Sequence, residues 1–223
     1  MEKVLDNFFN VEVMAKYLPD ILDGFVLTIY LAAAVVATGI VLGLALAILR
    51  AFQIKPVNVL IVLFVDLFRA LPPLVIMMIF YFAFPYVGLT MSGFVAAWAC
   101  LALVLAAFAE EIYWAGILSV HKGQWEAARS TGLSYLETLT HVVLPQAMRL
   151  AIAPLTNRAI AISKGTALAS VVAVQEILAQ AATAQAFSAN TSPLTMGAIA
   201  YLIMFAPLVT LSRWVEARYA WKR

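Results

Sequence analysis

Charge is scarce in this chain of 223 residues: 12% are Asp, Glu, Lys or Arg, against 65% apolar residues and a mean hydropathy of +0.97. A soluble domain carries about 25% charged residues and about half apolar ones. No globular core of this length hides so much apolar surface, whereas lipid does. Cysteine is nearly absent. Cys100 stands alone in an apolar run, so an internal disulfide is excluded and the residue reads as a buried small hydrophobe. The two histidines, His121 and His141, are isolated and argue against a metal site. There is no G-x-x-x-x-G-K-[ST] loop, so ATP is not bound in the P-loop manner, and no H-E-x-x-H or Ser/His/Asp arrangement. A net charge of +2 is too small to argue for nucleic acid or an acidic partner. The first residues scatter Glu2, Asp6, Glu12, Asp20 and Asp23 among apolar ones, without the basic stretch and short apolar core of a signal peptide.

What is abundant is long apolar runs. A membrane helix needs about 20 mostly apolar residues. Spans are expected at about 24–49, 57–84, 91–118, 145–163 and 193–212, in one transmembrane domain covering 1–223. Pro85-Tyr86-Val87-Gly88 reads as a tight turn between the second and third. The fourth is Ala-rich and weaker. Residues 165–186 are apolar, rich in small residues and carry Glu176. Short-loop lysines and arginines set orientation. Arg50 and Lys55 lie on one side, as do Lys122 and Arg129, and the tail with Arg213, Arg218, Lys222 and Arg223. Five spans, with the N-terminus outside and the C-terminus in the cytoplasm, satisfy this pattern. A sixth puts the basic tail outside, so 165–186 reads as a periplasmic-side or partly inserted segment. Residues 1–20 are compatible with an amphipathic helix on the membrane surface, with Phe8, Phe9, Met14, Tyr17 and Leu18 toward lipid. Gly39 and Gly43 form a G-x-x-x-G pair that permits close helix contact, with chance about as good an explanation as a dimer face.

Between the third and fourth spans lies a polar loop, 121–144. Residues 124–129 are good helix formers, and Gly132 suits a left-handed cap. Ser134 and Glu137 have capping-box spacing, which starts a second helix over 135–143, and Pro145 fits the first turn of the next span. A connection this long and ordered asks for a partner or a ligand. Spacing alone slightly favours a plain amphipathic surface helix.

In this loop Glu126-Ala127-Ala128, Gly132, Val142 and Leu144-Pro145 resemble, at every spacing, the signature of permease subunits of binding-protein-dependent ABC importers. That signature runs E-A-A, three residues, Gly, nine residues, Ile, one residue, Leu-Pro, and Val142 stands for Ile. Phe68-Arg69-Ala70-Leu71-Pro72 is similar to the F-R-G-T-P motif of the polar amino-acid branch, residues 111–117 to its E-I-x-R-G-G-I stretch, and Lys164-Gly165-Thr166-Ala167-Leu168 to K-D-T-S-L. Leu144-Pro145-Gln146-Ala147-Met148-Arg149, Pro154 and Asn157 continue the pattern. Trp114 departs from the usual Arg, and Ala70-Leu71, Gly165 and Ala167 also differ, which bears on specificity rather than class. The resemblance implies an all-α, five-helix type I importer permease with a cytoplasmic coupling helix, moving a polar amino acid inward by alternating access. It implies that Glu126 bonds an ATPase, that Ala127 and Ala128 keep the contact close, and that Gly132 allows the turn. The implied partners are a cytoplasmic ABC ATPase dimer, which carries ATP and Mg, a periplasmic amino-acid-binding protein, and a second permease, self or sister. The resemblance implies no cofactor in this chain itself.

Charges inside a span are costly and mark function by default. Asp66 and Arg69 are three apart and can pair with each other, a structural alternative to Arg69 forking a substrate carboxylate. Glu110 and Glu111 point to different faces. Glu111 aligns with the family Glu, and Glu110 is a candidate for an ammonium contact; at least one belongs near the cytoplasmic interface. Asn157, Arg158 and Lys164 lie along the fourth span. Arg158 and Lys164 are expected near its outer end, snorkelling, while Lys164 and Thr166 are also pathway candidates through the K-x-T match. Two other classes stay open on the charges alone: an intramembrane enzyme using Asp66, Glu110 and Glu111, and a passive channel with a charged ring. The coupling-loop pattern argues against both, since neither needs an ATPase dock.

Overall fold

The computed structural model describes residues 2–219, and of Glu2 and Tyr219 the backbone alone. Lys222 and Arg223 of the basic tail therefore lie outside the described residues. All regular structure among the described residues is helical. In order these are α1 (Glu2–Phe8), α2 (Val11–Ala51), α3 (Lys55–Ala70) and α4 (Pro73–Met78), the last continuing as a π turn over Ile79–Ala83 and a 3-10 turn over Phe84–Val87. Then come α5 (Gly93–Ser119), α6 (Lys122–Ser130) and α7 (Tyr135–Thr138), followed by a π turn over Leu139–Val143. Next is α8 (Leu144–Lys164) with a 3-10 stretch over Gly165–Val172, then α9 (Ile177–Ser188) and α10 (Ser192–Tyr219). Three helical stretches, Lys3–Ala51, Gly93–Ser119 and Ser192–Arg218, are long and apolar enough to cross a membrane, and two bent helix pairs bring the number to five.

Two expectations change. The run 57–84 is not one helix: α3 ends at Ala70 and a new helix starts at Pro73. Leu71 and Pro72 each precede a proline and are driven to extended ψ, 136° and 133°, because the proline ring excludes the helical region for its predecessor. The N-terminal segment is not one surface helix either. α1 stops at Phe8, Asn10 Oδ1 accepts the N–H of Val13 at 3.0 Å, and from there α2 runs unbroken through Pro19 for 41 residues. At 1.5 Å per residue that is about 60 Å, twice a bilayer core of about 30 Å. Residues 165–186 divide into the 3-10 stretch and α9, with Ala173 at φ +62° after the former and a bend of 46° between the helical stretch ending at Val172 and α9.

The chain clusters into two compact units. The first takes the segments up to Val36, Pro72–Ala102 and Ile160–Thr210. Its core is Ile21, Ile177, Ala181, Met196 and Ala200, with Met14, Phe25 and Tyr201 against it. The break before α9 is tied down by hydrogen bonds. Glu176, fully buried, caps α9 by accepting the N–H of Ala179 at 2.8 Å, and Tyr201 donates to its other oxygen at 2.5 Å. Thr28 Oγ1 donates to the Gly24 carbonyl at 2.7 Å and accepts the N–H of Ile177 at 3.2 Å. α1 is held to the turn before α10: Thr191 N–H reaches the Asn7 carbonyl at 3.0 Å, and Asn190 Nδ2 donates to the Asp6 carbonyl at 2.9 Å.

The second unit takes Ala37–Leu71, Leu103–Ala159 and the segment from Leu211 on. Here Gly39 and Gly43 acquire a definite role. A Cβ on Gly39 lies 2.7 Å from Leu105 Cβ, and one on Gly43 lies 2.5 Å from Ala109 Cβ, so the pair seats α5 of the same chain rather than serving a dimer face. Small residues admit close backbone approach where lipid offers no hydrophobic drive between helices. Ala47, Ala51, Tyr113, Ile117, Leu139, Val143 and Ala147 extend this buried core down to the polar loop.

Candidate functional site

The polar loop folds as its residues imply. His121 caps α6, its Nδ1 accepting the Gly123 N–H at 3.1 Å. α6 ends where Thr131 N–H reaches back to Ala127 and Ala128, and Gly132 follows at φ +96°, donating to the Arg129 carbonyl at 3.1 Å. A Cβ at Gly132 meets nothing within 4 Å, so the backbone angle alone demands glycine there. Ser134 and Glu137 form a complete capping box at the start of α7: the Glu137 carboxylate accepts from Ser134 N–H at 2.8 Å and Ser134 Oγ at 2.7 Å. These bonds hold the Glu137 carboxyl below its ordinary range.

α6 then shows two faces. Trp125 and Ala128 turn inward, Ala128 being 8% exposed, and the Trp125 ring stacks on Tyr135 at 5.4 Å. The Tyr135 hydroxyl donates to the Ala51 carbonyl at 2.5 Å, and burial pushes its phenol up. Glu126, Ala127, Arg129 and Gly132 lie on the exposed side. So Ala127 is free for a docking partner, whereas Ala128 packs the helix onto its own chain.

The charges in the second unit pair across helices. Glu110, with no exposed side-chain surface, accepts both of its bonds from Arg50, at 3.0 and 3.2 Å. The Arg50 guanidinium also lies over Trp114, 4.8 Å from the ring centre. Arg69 does not pair with Asp66. It bonds Glu111 at 2.6 Å, and Asp66, exposed, has no ion pair among the described residues. Arg158, rather than snorkelling at the outer end of its span, lies 3.8 Å over Phe108, whose ring also sits 5.4 Å from Arg69. Two guanidinium groups thus share one ring, and one of them, Arg69, holds the Glu111 carboxylate, with the Arg69 and Glu111 side chains 35% and 47% exposed. The adjacent Asn157 is saturated: it accepts from Ser212 at 2.6 Å and donates to Glu216. Lys164 and Thr166 belong to the first unit. Lys164 is exposed, 5.9 Å over Phe205, and buried Thr166 donates to the Ser163 carbonyl at 2.7 Å, back into its own turn.

Sequence reasoning missed Arg50 as the partner of Glu110, Arg158 as a member of the Phe108 cluster, and Tyr201 as the partner of Glu176. Each partner is supplied by another helix, and no spacing along the chain announces it. A faint signal existed for Arg50: a buried carboxylate requires a cation, and Arg50 is the charge that closes the first run.

Comparison with known proteins agrees with this architecture. A family model described as "Binding-protein-dependent transport system inner membrane component" matches residues 39–221. The chain is 37% identical over 172 residues to the probable glutamine ABC transporter permease protein GlnM of Bacillus subtilis (strain 168), covering 77% of this chain and 80% of that one. It is 35% identical over 200 residues to the probable glutamine ABC transporter permease protein GlnP of the same organism, covering 88% and 91%. Among solved structures, a crystal structure of an amino acid ABC transporter with histidines superposes with a TM-score of 0.83 at 30% identity, covering 92% of this chain and 96% of that one. The inward-facing MetNI methionine ABC transporter shares the fold at 21% identity and a TM-score of 0.71, covering 92% and 97%. The chain therefore belongs to the inner membrane components of binding-protein-dependent transport systems, the multi-pass permease subunits of ABC importers, in which ATP hydrolysis belongs to a separate subunit.

Proposed function

We propose that this chain, acting as one permease domain, moves a polar amino acid across the inner membrane by alternating access, driven through α6 by a cytoplasmic ABC ATPase dimer that holds ATP and Mg. The observation that carries this reading is α6 itself: nine residues capped at both ends, anchored inward by Trp125 and Ala128, with Glu126 and Ala127 outward. A helix fixed to its own chain on one face and unpartnered on the other transmits a push as a rigid body. The N-terminus is periplasmic and the C-terminus cytoplasmic, as the Lys and Arg distribution favours. The chain works with a periplasmic amino-acid-binding protein and a second permease, a copy of itself or a sister subunit.

Substrate chemistry is assigned to the Phe108 cluster. Arg69 exchanges Glu111 for the substrate carboxylate, and Arg158 adds a second positive charge to the same ring. Relatives named for glutamine, cystine and arginine keep the class at polar amino acids. Asp66 and Glu111 are candidates for the ammonium end; Glu110, committed to Arg50, is the weaker one. Asn157, Lys164 and Thr166 complete the pathway candidates. The test is to tag the chain in its own host, extract it in mild detergent and identify what accompanies it. A P-loop ATPase that co-purifies with the wild type and is lost with Gly132→Leu, together with uptake, supports the reading. Normal uptake by Gly132→Leu sinks it.

A further inference from the structure

Behind α6 the second unit contains a pocket of about 220 Å³, lined by Ala51, Gln53, Trp114, Leu118, Lys122 and Trp125 among others. The proposed substrate cluster around Phe108 uses none of it. It sits where α2 and α5 end and the polar loop begins, the level at which Trp, Tyr and basic residues concentrate at a membrane–water boundary. The volume is below the range of about 300–1,000 Å³ typical of sites for drug-sized ligands, so it admits a headgroup-sized piece, not a whole amphiphile. Its polar equipment is nearly all donors. The Lys122 ammonium, the Gln53 amide and the indole N–H groups of Trp114 and Trp125 have no acceptor among the described residues. No carboxylate lines it. One face of each indole is already engaged, Trp114 by Arg50 and Trp125 by Tyr135. Leu118, 64% exposed, provides an apolar strip leading away from the rim.

We propose that this pocket binds the phosphate-bearing headgroup of an anionic phospholipid, with an acyl chain running along Leu118. A lipid held there touches Trp125 directly, so its binding bears on how firmly α6 is seated. The inference rests on the proposed cytoplasmic placement of the loop 121–144.

The test uses the full-length chain with whatever subunits co-purify, placed in nanodiscs of phosphatidylcholine doped with dibrominated phosphatidylglycerol or dibrominated phosphatidylcholine. The expected result is at least two-fold stronger quenching of tryptophan fluorescence by the brominated anionic lipid, with the excess reduced in Trp114→Phe, which leaves Trp125 as reporter, and lost in both Lys122→Glu and Lys122→Gln. Equal quenching by the two lipids overturns the proposal, as does an anionic excess that survives both Lys122 variants. Glycerol 3-phosphate is added separately. If this soluble anion removes the excess at millimolar concentration, the site takes free phosphate esters and the lipid assignment falls. Sidedness is read independently, by labelling Ser130→Cys in intact and permeabilised cells. Labelling in intact cells defeats the proposed orientation, whatever the quenching shows.

Discussion

Two ion pairs of the same type have opposite consequences because of burial. Arg50–Glu110 has one member with no exposed surface. Removing a single partner from a buried pair costs about 3–5 kcal/mol, because it leaves an uncompensated charge, whereas replacing both with apolar residues is close to neutral. Arg50→Met is therefore expected to lower the thermal midpoint in detergent sharply, and Arg50→Met combined with Glu110→Leu to recover most of the loss. Arg69–Glu111 is 35% and 47% exposed, so its stability contribution is about 0–1 kcal/mol. Arg69→Met is expected to leave the thermal midpoint nearly unchanged while uptake falls at least ten-fold, a split that a purely structural arginine does not produce. Gly43 is the other sensitive position. A Cβ there runs into Ala109, and Gly43→Leu is expected to destabilise by about 1–3 kcal/mol through overpacking, measured in the same melts.

At the scale of elements, the polar loop depends on caps more than on burial. Ser134→Ala removes the cap of α7 and is expected to cost about 0.5–2 kcal/mol. The Glu137 carboxyl titrates below its ordinary value because Ser134 bonds its charged form. A carboxylate with a depressed folded pKa contributes stability that is complete above its unfolded pKa and is lost as pH falls through the folded one. The box is thus intact at neutral pH and opens only in acid below the usual glutamate range. Side-chain NMR of Glu137 checks this: Ser134→Ala returns its titration upward toward that of a free glutamate. The break at Leu71-Pro72-Pro73 is the other local determinant. Two consecutive pre-proline residues break an apolar run long enough for one crossing into two separate helices.

For the whole molecule, the proposed orientation makes a simple demand. Cys100 is fully buried, and Cys100→Ala provides a cysteine-free background. In it, Tyr86→Cys, at a turn residue 92% exposed, is expected to react with a membrane-impermeant maleimide in intact cells, and Ser130→Cys only after permeabilisation. The reverse pattern turns the chain over and removes the proposed ATPase dock.

The sequence by itself determined what local physics controls. Long uncharged runs determined membrane helices, because a bilayer tolerates no other spanning backbone in an α protein. Gly132, Ser134 and Glu137 determined the loop, because caps act over three or four residues. The spacing of Glu126, Ala127, Ala128 and Gly132 carried the family. Only the tertiary structure decided which charge meets which. Asp66 and Arg69 are neighbours on one helix, yet Arg69 pairs with Glu111, 42 positions away, and Glu110 with Arg50, 60 positions away. The same holds for Gly39 and Gly43, whose pattern permits any close helix and whose partner is α5 of the same chain. A side chain's partner across a helix interface depends on the rotation and depth at which two helices pack, and neither is written in the periodicity of either one.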